Sequence, residues 1–530
     1  MATAEHLSSS RVVVRSGLFN IAGFLASAVY MVMLVPMAKG FLGNEQYGLW
    51  TAVLAITGYI GLADLGLSTS FVTYLARFVA QGDLRSANRV ITHGLLFYLL
   101  VSAVMLLISV AGYSWIFRFL HIQEADWSTA RTALYLAVAV FAVTSVAGVY
   151  GSVLAAVQRM DAFNLQFVGL LMVKFAFTYG ALKAGYGVGG LFVADLTATL
   201  LSIPAVVYLT LRSVPGLKLS WNGFDGVLMK SLLKFGLRLQ VSRAADIVQM
   251  NFDKLLLTRF QGLAATAMYD FGSRPINRLR TLPVTAISSL IPAVSALDAD
   301  DNAARIRAAV VRSTRYLVLI ALPLFTLCIV FAERLMTLWV GPGNTQAVLT
   351  MQGLSAGSFI AVTMSALSLV SLGKGEPQFQ MRTTLVQAVL NMALSTILVL
   401  RFGFIGAVAG TTISMVVGGM LFYGVYARRV MDAPFAFLAT ILGRPVIAVV
   451  PAIIAGLLVV YLGDVVGAGG SAIAALAALA CGAAAFVAAY AVALRFTGAL
   501  TADDLGFLKN SLPERVVRWL PAGNNNRMSP

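Results

Sequence analysis

Two stretches decide the fold: GLFNIAGFLASAVYMVMLVPMAKGFLG (17–43) and GLRLQVSRAADIVQMNFDKLLLTRFQG (236–262). Each opens on Gly-Leu and closes on Phe-Xaa-Gly, and they lie 219 residues apart without a gap. The same offset matches Gly48 to Ala267 and Trp50 to Tyr269. The first stretch is apolar over the roughly 20 residues that a membrane span needs. The second is as long but carries Arg238, Arg243, Asp246, Asp253 and Lys254. Two spans of one orientation at a fixed offset predict a parallel repeat about an axis along the membrane normal.

Composition supports a membrane reading. The 530 residues are 59% hydrophobic and 11% charged, against roughly 25% charged in soluble domains. A mean hydropathy of +0.85 over the whole length leaves no room for a large soluble domain. The expected fold class is an all-α polytopic membrane protein of about 14 transmembrane helices. Two pseudo-symmetric six-helix lobes are expected, followed by a final helix pair. The boundaries read as an N-terminal lobe (1–211), an inter-lobe linker (212–230), a C-terminal lobe (231–428), helices thirteen and fourteen (429–496) and an interfacial tail (497–530).

Loop charge sets the orientation, because cytoplasmic loops concentrate Lys and Arg. With both termini cytoplasmic, inner segments and adjoining span ends hold twenty-four of the 38 Lys and Arg residues, and outer ones hold six. The net charge of +16 therefore follows from topology. Its spread over short loops argues against a nucleic-acid partner. Cys328 and Cys481 lie in apolar segments, and three scattered histidines provide no metal spacing. No Walker loop, dinucleotide fingerprint or Ser-His-Asp set is present. The chain is not expected to be an enzyme or to hold a cofactor.

Charge inside spans is costly and marks function by default. On a helical wheel, Arg238, Ser242, Arg243, Asp246, Gln249, Asp253 and Lys254 fall within an arc of about 160°. Asp270, Arg274 and Arg278 follow at i, i+4, i+8 and share a face, with Pro275 and Pro283 expected to bend the helix. Lys174 and Asp195 flank the short loop at Gly185 at similar depth. Arg238, Arg243, Arg274, Arg278 and Lys174 are candidate ligands for a phosphate, which a guanidinium fork matches in bidentate fashion. Asp64, Asp195, Asp246 and Asp253 are candidate ion-coupling carboxylates. The competing reading makes these charges structural: Asp246, Asp253 and Asp270 neutralise the arginines, Lys174 pairs with Asp195, and Asp64 is a helix–helix polar contact.

The run FLGNEQYGLWTAVLAITGYIGLADLGLSTSFVTYLAR (41–77) resembles the start of polysaccharide-export flippases of the O-antigen type. LLKFGLRLQVSRAADIVQMNFDKLLLTRFQGLAATAMYDFG (232–272) resembles the start of their second lobe, and TADDLGFLKNSLPERVVRWL (501–520) resembles their tails. Gly43, Gly48 and Asp64-Leu65-Gly66 carry the resemblance most specifically. These proteins belong to the multidrug/oligosaccharidyl-lipid/polysaccharide exporter superfamily. The resemblance implies two six-helix lobes, alternating access and an undecaprenyl-pyrophosphate-linked glycan as cargo, in a bacterial inner membrane. A proton or sodium gradient, removal of product by later enzymes, or both would supply energy. A polysaccharide polymerase and a chain-length regulator would be partners, besides membrane lipids. Three alternatives stay open: a multidrug exporter of the same superfamily, a peptidoglycan-precursor flippase, and an integral glycosyltransferase or polymerase. An arginine-rich interior disfavours the first, and short outer loops disfavour the last.

Overall fold

The computed structural model describes residues 10–217, 225–287, 290–299, 302–430, 434–466 and 471–499. The expected tail helix and the middle of the inter-lobe linker lie outside them. The described residues form seventeen α-helices and three short 3-10 turns, with no strand. The chain divides into two compact units. One holds Met1–Arg278, Trp339–Leu354 and Gln380–Gly418; the other holds Leu279–Leu338, Ser355–Phe379 and the chain from Gly419 on. The expected lobes are defined by the repeat, whereas these units are defined by packing.

The first unit begins with α1 (Ser10–Ile60), a 3-10 turn (Gly61–Asp64) and α2 (Leu67–Ala80). It continues through α3 (Leu84–Phe119), α4 (Trp127–Ala156), α5 (Met160–Lys183), α6 (Gly187–Ser213), α7 (Gly226–Gln261) and α8 (Leu263–Leu279). The second unit contains α9 (Thr281–Ala286), α10 (Leu290–Ala299), α11 (Ala303–Val330) and α12 (Ala332–Val340). Three long helices, α13 (Thr345–Gly373), α14 (Pro377–Phe402) and α15 (Phe404–Tyr426), contribute to both units. The chain then adds α16 (Pro434–Val466) and α17 (Ala472–Phe496), which pack on each other around Phe486 and Tyr490.

Eleven described helices are long and apolar enough to cross a membrane, against the fourteen expected. The difference has three sources. Expected spans one and two run on as one helical stretch, Phe19–Asp64. Expected spans seven and eight coincide with α7 and α8–α10, whose charges lower their hydropathy. The most charged helices are thus the ones that composition alone fails to place in a bilayer.

The repeat is written into the backbone. Within α1, Gly43 adopts φ 71°, ψ −179°. Gly262, 219 residues later between α7 and α8, adopts φ 87°, ψ 177°. That region is essentially closed to residues with a Cβ, so each helix pair turns on a glycine. A second break follows Asp64, where Leu65 (φ 49°) and Gly66 (φ 73°) are left-handed. In the repeat the matching break falls between α8 and α9. Pro275 lies within an uninterrupted α8, and Pro283 sits in the first turn of α9, where its missing N–H costs little.

Small residues let α7 approach this first break. A Cβ on Gly236 would lie 2.5 Å from the Leu65 carbonyl oxygen, and one on Gly66 would lie 2.3 Å from that of Gly236. Ser70 Oγ donates to the Leu232 carbonyl at 2.9 Å, and Gln240 Nε2 donates to that of Leu62 at 3.0 Å. Gly236→Ala is therefore expected to lower the unfolding temperature, since forced overpacking costs roughly 1–3 kcal/mol. Gly169→Ala, where α5 has open space, should leave it unchanged or raise it. Equal unfolding temperatures for the two variants would contradict the close approach.

The start of α7 is fastened to α3. Asp225 accepts from the Val227 and Leu228 amides at 3.1 and 3.0 Å and pairs with Arg89 at 3.1 Å. Its own amide donates to Nε2 of buried His93 at 2.7 Å, while Nδ1 of that ring contacts the Arg89 carbonyl at 2.6 Å. The Leu228 amide first, then the Val227 amide and Arg89, hold the Asp225 carboxyl below the usual carboxylate range. Such a cap is complete at neutral pH and weakens as pH falls through that lowered value. Asp225→Ala should speed protease cleavage within 212–225 at pH 7; an unchanged cleavage rate would mean the fastening lies elsewhere.

Candidate functional site

The polar arc of α7 does not face one cavity wall; it serves three separate clusters, all within the first unit. Lys254 and Asp253 are neighbours in sequence yet reach different helices. The deepest cluster surrounds Asp270 on α8, which is fully buried. Lys254 Nζ donates to its Oδ1 at 2.8 Å, Arg274 Nε to its Oδ2 at 2.7 Å, and Tyr47 Oη to Oδ2 at 2.9 Å. The Arg274 guanidinium also lies 5.2 Å from the centre of the Trp50 ring. One carboxylate here answers two cations, so the cluster carries a net positive charge away from bulk water.

The second cluster forms at the broken helix. Asp64 caps α2, accepting from the Ser68 amide at 3.3 Å and its hydroxyl at 3.0 Å. Tyr98 on α3 donates its hydroxyl to Asp64 Oδ1. Arg243 approaches Asp64 Oδ2 at 3.8 Å and donates to Ser68 Oγ at 3.1 Å, with half of its side chain exposed. Both Asp64 oxygens therefore already have donors, as a helix–helix polar contact requires.

The third cluster is the Lys174–Asp195 pair, 2.7 Å apart between α5 and α6. Lys174 Nζ lies 5.9 Å from the centre of the Tyr30 ring on α1. The equal depth of 174 and 195 about the Gly185 turn is thus realised as a direct ion pair.

Asp253 differs from all of these. It is 1% exposed, and no described cation pairs with it. Tyr269 Oη donates to Oδ2 at 2.8 Å, Thr411 Oγ1 donates to the same oxygen, and Asn391 Nδ2 stands 3.5 Å away. Ser395 Oγ accepts from Asn391 at 3.2 Å. Asp253 Oδ1 and Asn391 Oδ1 have no hydrogen-bond partner among the described residues. Two buried acceptor oxygens in one nest lack a donor, and buried polar groups are rarely left so.

Of the other residues singled out in sequence, Arg278 and Asp246 are exposed, and both have interacting neighbours. The Arg238 side chain lies outside the described residues. Sequence reasoning did not single out Tyr30, Tyr47, Tyr98, Asn391 and Thr411, and it gave Lys254 no role. Phenols, amides and hydroxyls in apolar spans carry no spacing that marks them, and their partners come from other helices.

The comparisons with known proteins agree with this architecture. A curated relative from Shigella flexneri, named "Putative O-antigen transporter", is 23% identical over 434 residues, covering 78% of this chain and 98% of its own. Among solved structures, the lipid II flippase MurJ in an inward closed conformation aligns with a TM-score of 0.68 at 13% identity, covering 90% of this chain and 99% of that one. An inward-facing multidrug resistance MATE transporter of the MOP superfamily aligns at 0.61 and 16% identity, covering 77% of this chain and 98% of that one. At those identities the likeness is one of fold, and the fold is that of a transporter and not of an enzyme. The sequence profile described as "Polysaccharide biosynthesis protein" matches residues 37–348, more than half the length, and the chain, a multi-pass membrane protein, belongs to that family.

Proposed function

We propose that this protein is a flippase that moves an undecaprenyl-pyrophosphate-linked oligosaccharide across a bacterial inner membrane by alternating access, for surface polysaccharide biosynthesis. Both termini would be cytoplasmic, as the loop charges favour. The observation that carries the reading is the Lys254–Asp270–Arg274 cluster, whose excess positive charge inside the membrane calls for an anion. A pyrophosphate supplies one, and arginine stays charged while partly desolvated. Arg243, Arg274, Arg278, Lys174 and Arg238 are the proposed phosphate ligands. The pairs with Asp64, Asp270 and Asp195 would neutralise them in the empty protein and yield to cargo. The Shigella relative's printed name supports a glycan cargo. A polymerase and a chain-length regulator are the proposed partners downstream.

For coupling to a proton or sodium gradient, Asp253 is the preferred carboxylate. Its orphan oxygen and that of Asn391 can both be satisfied by a small cation, or by a proton on Oδ1 donated to Asn391. Asp64 and Asp195 are already engaged, which favours them less.

The test is binding of purified protein to an undecaprenyl-pyrophosphate oligosaccharide across salt concentrations, for wild type and for Arg243→Gln, Arg274→Gln and Arg278→Gln. Salt-sensitive binding that falls about tenfold or more in Arg274→Gln is expected, since hydrogen bonds to charged groups contribute about 1.5–3 kcal/mol. Unchanged binding in all three variants would make these arginines structural. Retention of cationic dyes without glycolipid binding would favour the multidrug reading.

A further inference from the structure

Tyr30 occupies a position that the packing of α1 does not explain. Its ring is held edge-on by Phe175 of α5, with centroids 6.4 Å apart at 78°. Its hydroxyl is buried and has no hydrogen-bond partner; Thr178 stands near it outside hydrogen-bonding geometry. Leaving a buried hydroxyl unmatched costs roughly 1–3 kcal/mol, and a phenylalanine would avoid that cost. The surroundings are strongly charged. Lys174 Nζ lies over the ring face, its partner Asp195 is 2.7 Å from that ammonium, and Arg274 of α8 is within electrostatic reach of the hydroxyl. Tyr30 is thus the residue on which the Lys174–Asp195 pair and the Lys254–Asp270–Arg274 cluster converge.

The charges around it decide what the missing partner is. Lys174, Lys254 and Arg274 face Asp195 and Asp270, which leaves one positive charge uncompensated. A phenol donates readily, and both carboxylates already accept from cations. The ligand that completes this arrangement is an anion with acceptor oxygens. We infer that Tyr30 is a cargo-binding residue, whose hydroxyl donates to a phosphate oxygen bound alongside Lys174 and Arg274. The inference rests on the anionic-cargo reading above and adds to it the one neutral donor of the site. A neutral donor adds directionality where the ammonium of Lys174 acts as a point charge.

The experiment compares wild type, Tyr30→Phe and Lys174→Gln for binding of sugar-free undecaprenyl pyrophosphate and of inorganic pyrophosphate, at low and high salt. Tyr30→Phe is expected to bind undecaprenyl pyrophosphate about tenfold more weakly, by a factor that persists across salt because no charge is removed. Lys174→Gln should instead flatten the salt dependence. The unfolding temperature of Tyr30→Phe should match or exceed that of wild type. Weakening with both probes identifies the phosphates as the acceptor; weakening with the lipid alone identifies the membrane-anchored form as the true ligand. Equal affinities of wild type and Tyr30→Phe, or a lowered unfolding temperature at unchanged affinity, would overturn the inference alone. Failure of wild type to bind undecaprenyl pyrophosphate would overturn the cargo reading, and this inference with it.

Discussion

Asp270→Asn is expected to be the most destabilising single conservative change in the first unit, and to be rescued in part by Lys254→Gln. Asp270 is fully buried and accepts from Lys254, Arg274 and Tyr47 at 2.7–2.9 Å. Removing its charge leaves two cations facing each other in a medium that solvates neither. Breaking a buried pair by removing one partner typically costs about 3–5 kcal/mol, because the remaining charge stays desolvated. Here two remain. Thermal unfolding in detergent would measure the loss, and the double variant Asp270→Asn/Lys254→Gln should recover a good part of it, since coupled residues are not additive. The same logic predicts a ligand effect. If cargo phosphate competes with Asp270 for these cations, pyrophosphate should stabilise Asp270→Asn more than wild type. A variant as stable as wild type, indifferent to Lys254→Gln, would show that the cluster is open to water and its net charge unimportant.

How much of this was legible in the sequence differs between levels. The repeat was legible, because a glycine-only conformation leaves a glycine: Gly43 and Gly262 are 219 residues apart and share one backbone geometry. The break at Asp64-Leu65-Gly66 was legible as a motif, although its left-handed leucine was not. The charged helices were legible too, and they mark an asymmetry within the repeat. The residues 219 positions before Arg238, Arg243, Asp253, Lys254, Asp270 and Arg274 are Phe19, Phe24, Leu34, Val35, Thr51 and Ala55. One copy of the unit keeps the packing and the other acquires the chemistry. The pairing itself was not legible. A helical wheel places Asp253 and Lys254 on one polar arc, but which helix each one meets depends on packing between α7, α8, α14 and α15. Bending was read at the prolines, whereas α8 passes through Pro275 unbroken. A span count from hydropathy falls short for the same reason that the site exists, since its charges lower the score of α7 and α8.

Asp253→Asn is expected to abolish gradient-dependent transport while leaving the fold nearly intact. The two side chains have the same shape, and Tyr269 and Thr411 can donate to the amide oxygen as they do to Oδ2. What the variant loses is the ability to carry a charge or a proton. An isolated ionised carboxylate in an apolar interior is so costly that the group is neutralised, by a proton or by a bound cation. Either solution satisfies the two orphan oxygens, and the two are separable by experiment. If the carrier is a cation, sodium should raise the unfolding temperature of wild type relative to choline, by an amount equivalent to about 1.4 kcal/mol at ten times the dissociation constant, and should leave Asp253→Asn unaffected. If it is a proton, stabilisation should follow pH in wild type and vanish in the variant, with no preference among cations. In proteoliposomes, flipping of a labelled lipid-linked oligosaccharide should fall by about 10–100-fold in Asp253→Asn, because the gradient no longer biases the conformational equilibrium. Asn391→Ala should reduce it less, as it removes a neutral oxygen and keeps the carboxylate. Gradient-dependent flipping that survives Asp253→Asn unchanged would make Asp253 a structural acceptor and move the coupling to Asp195 or Asp64, where a carboxylate would have to leave its cation to take up the ion.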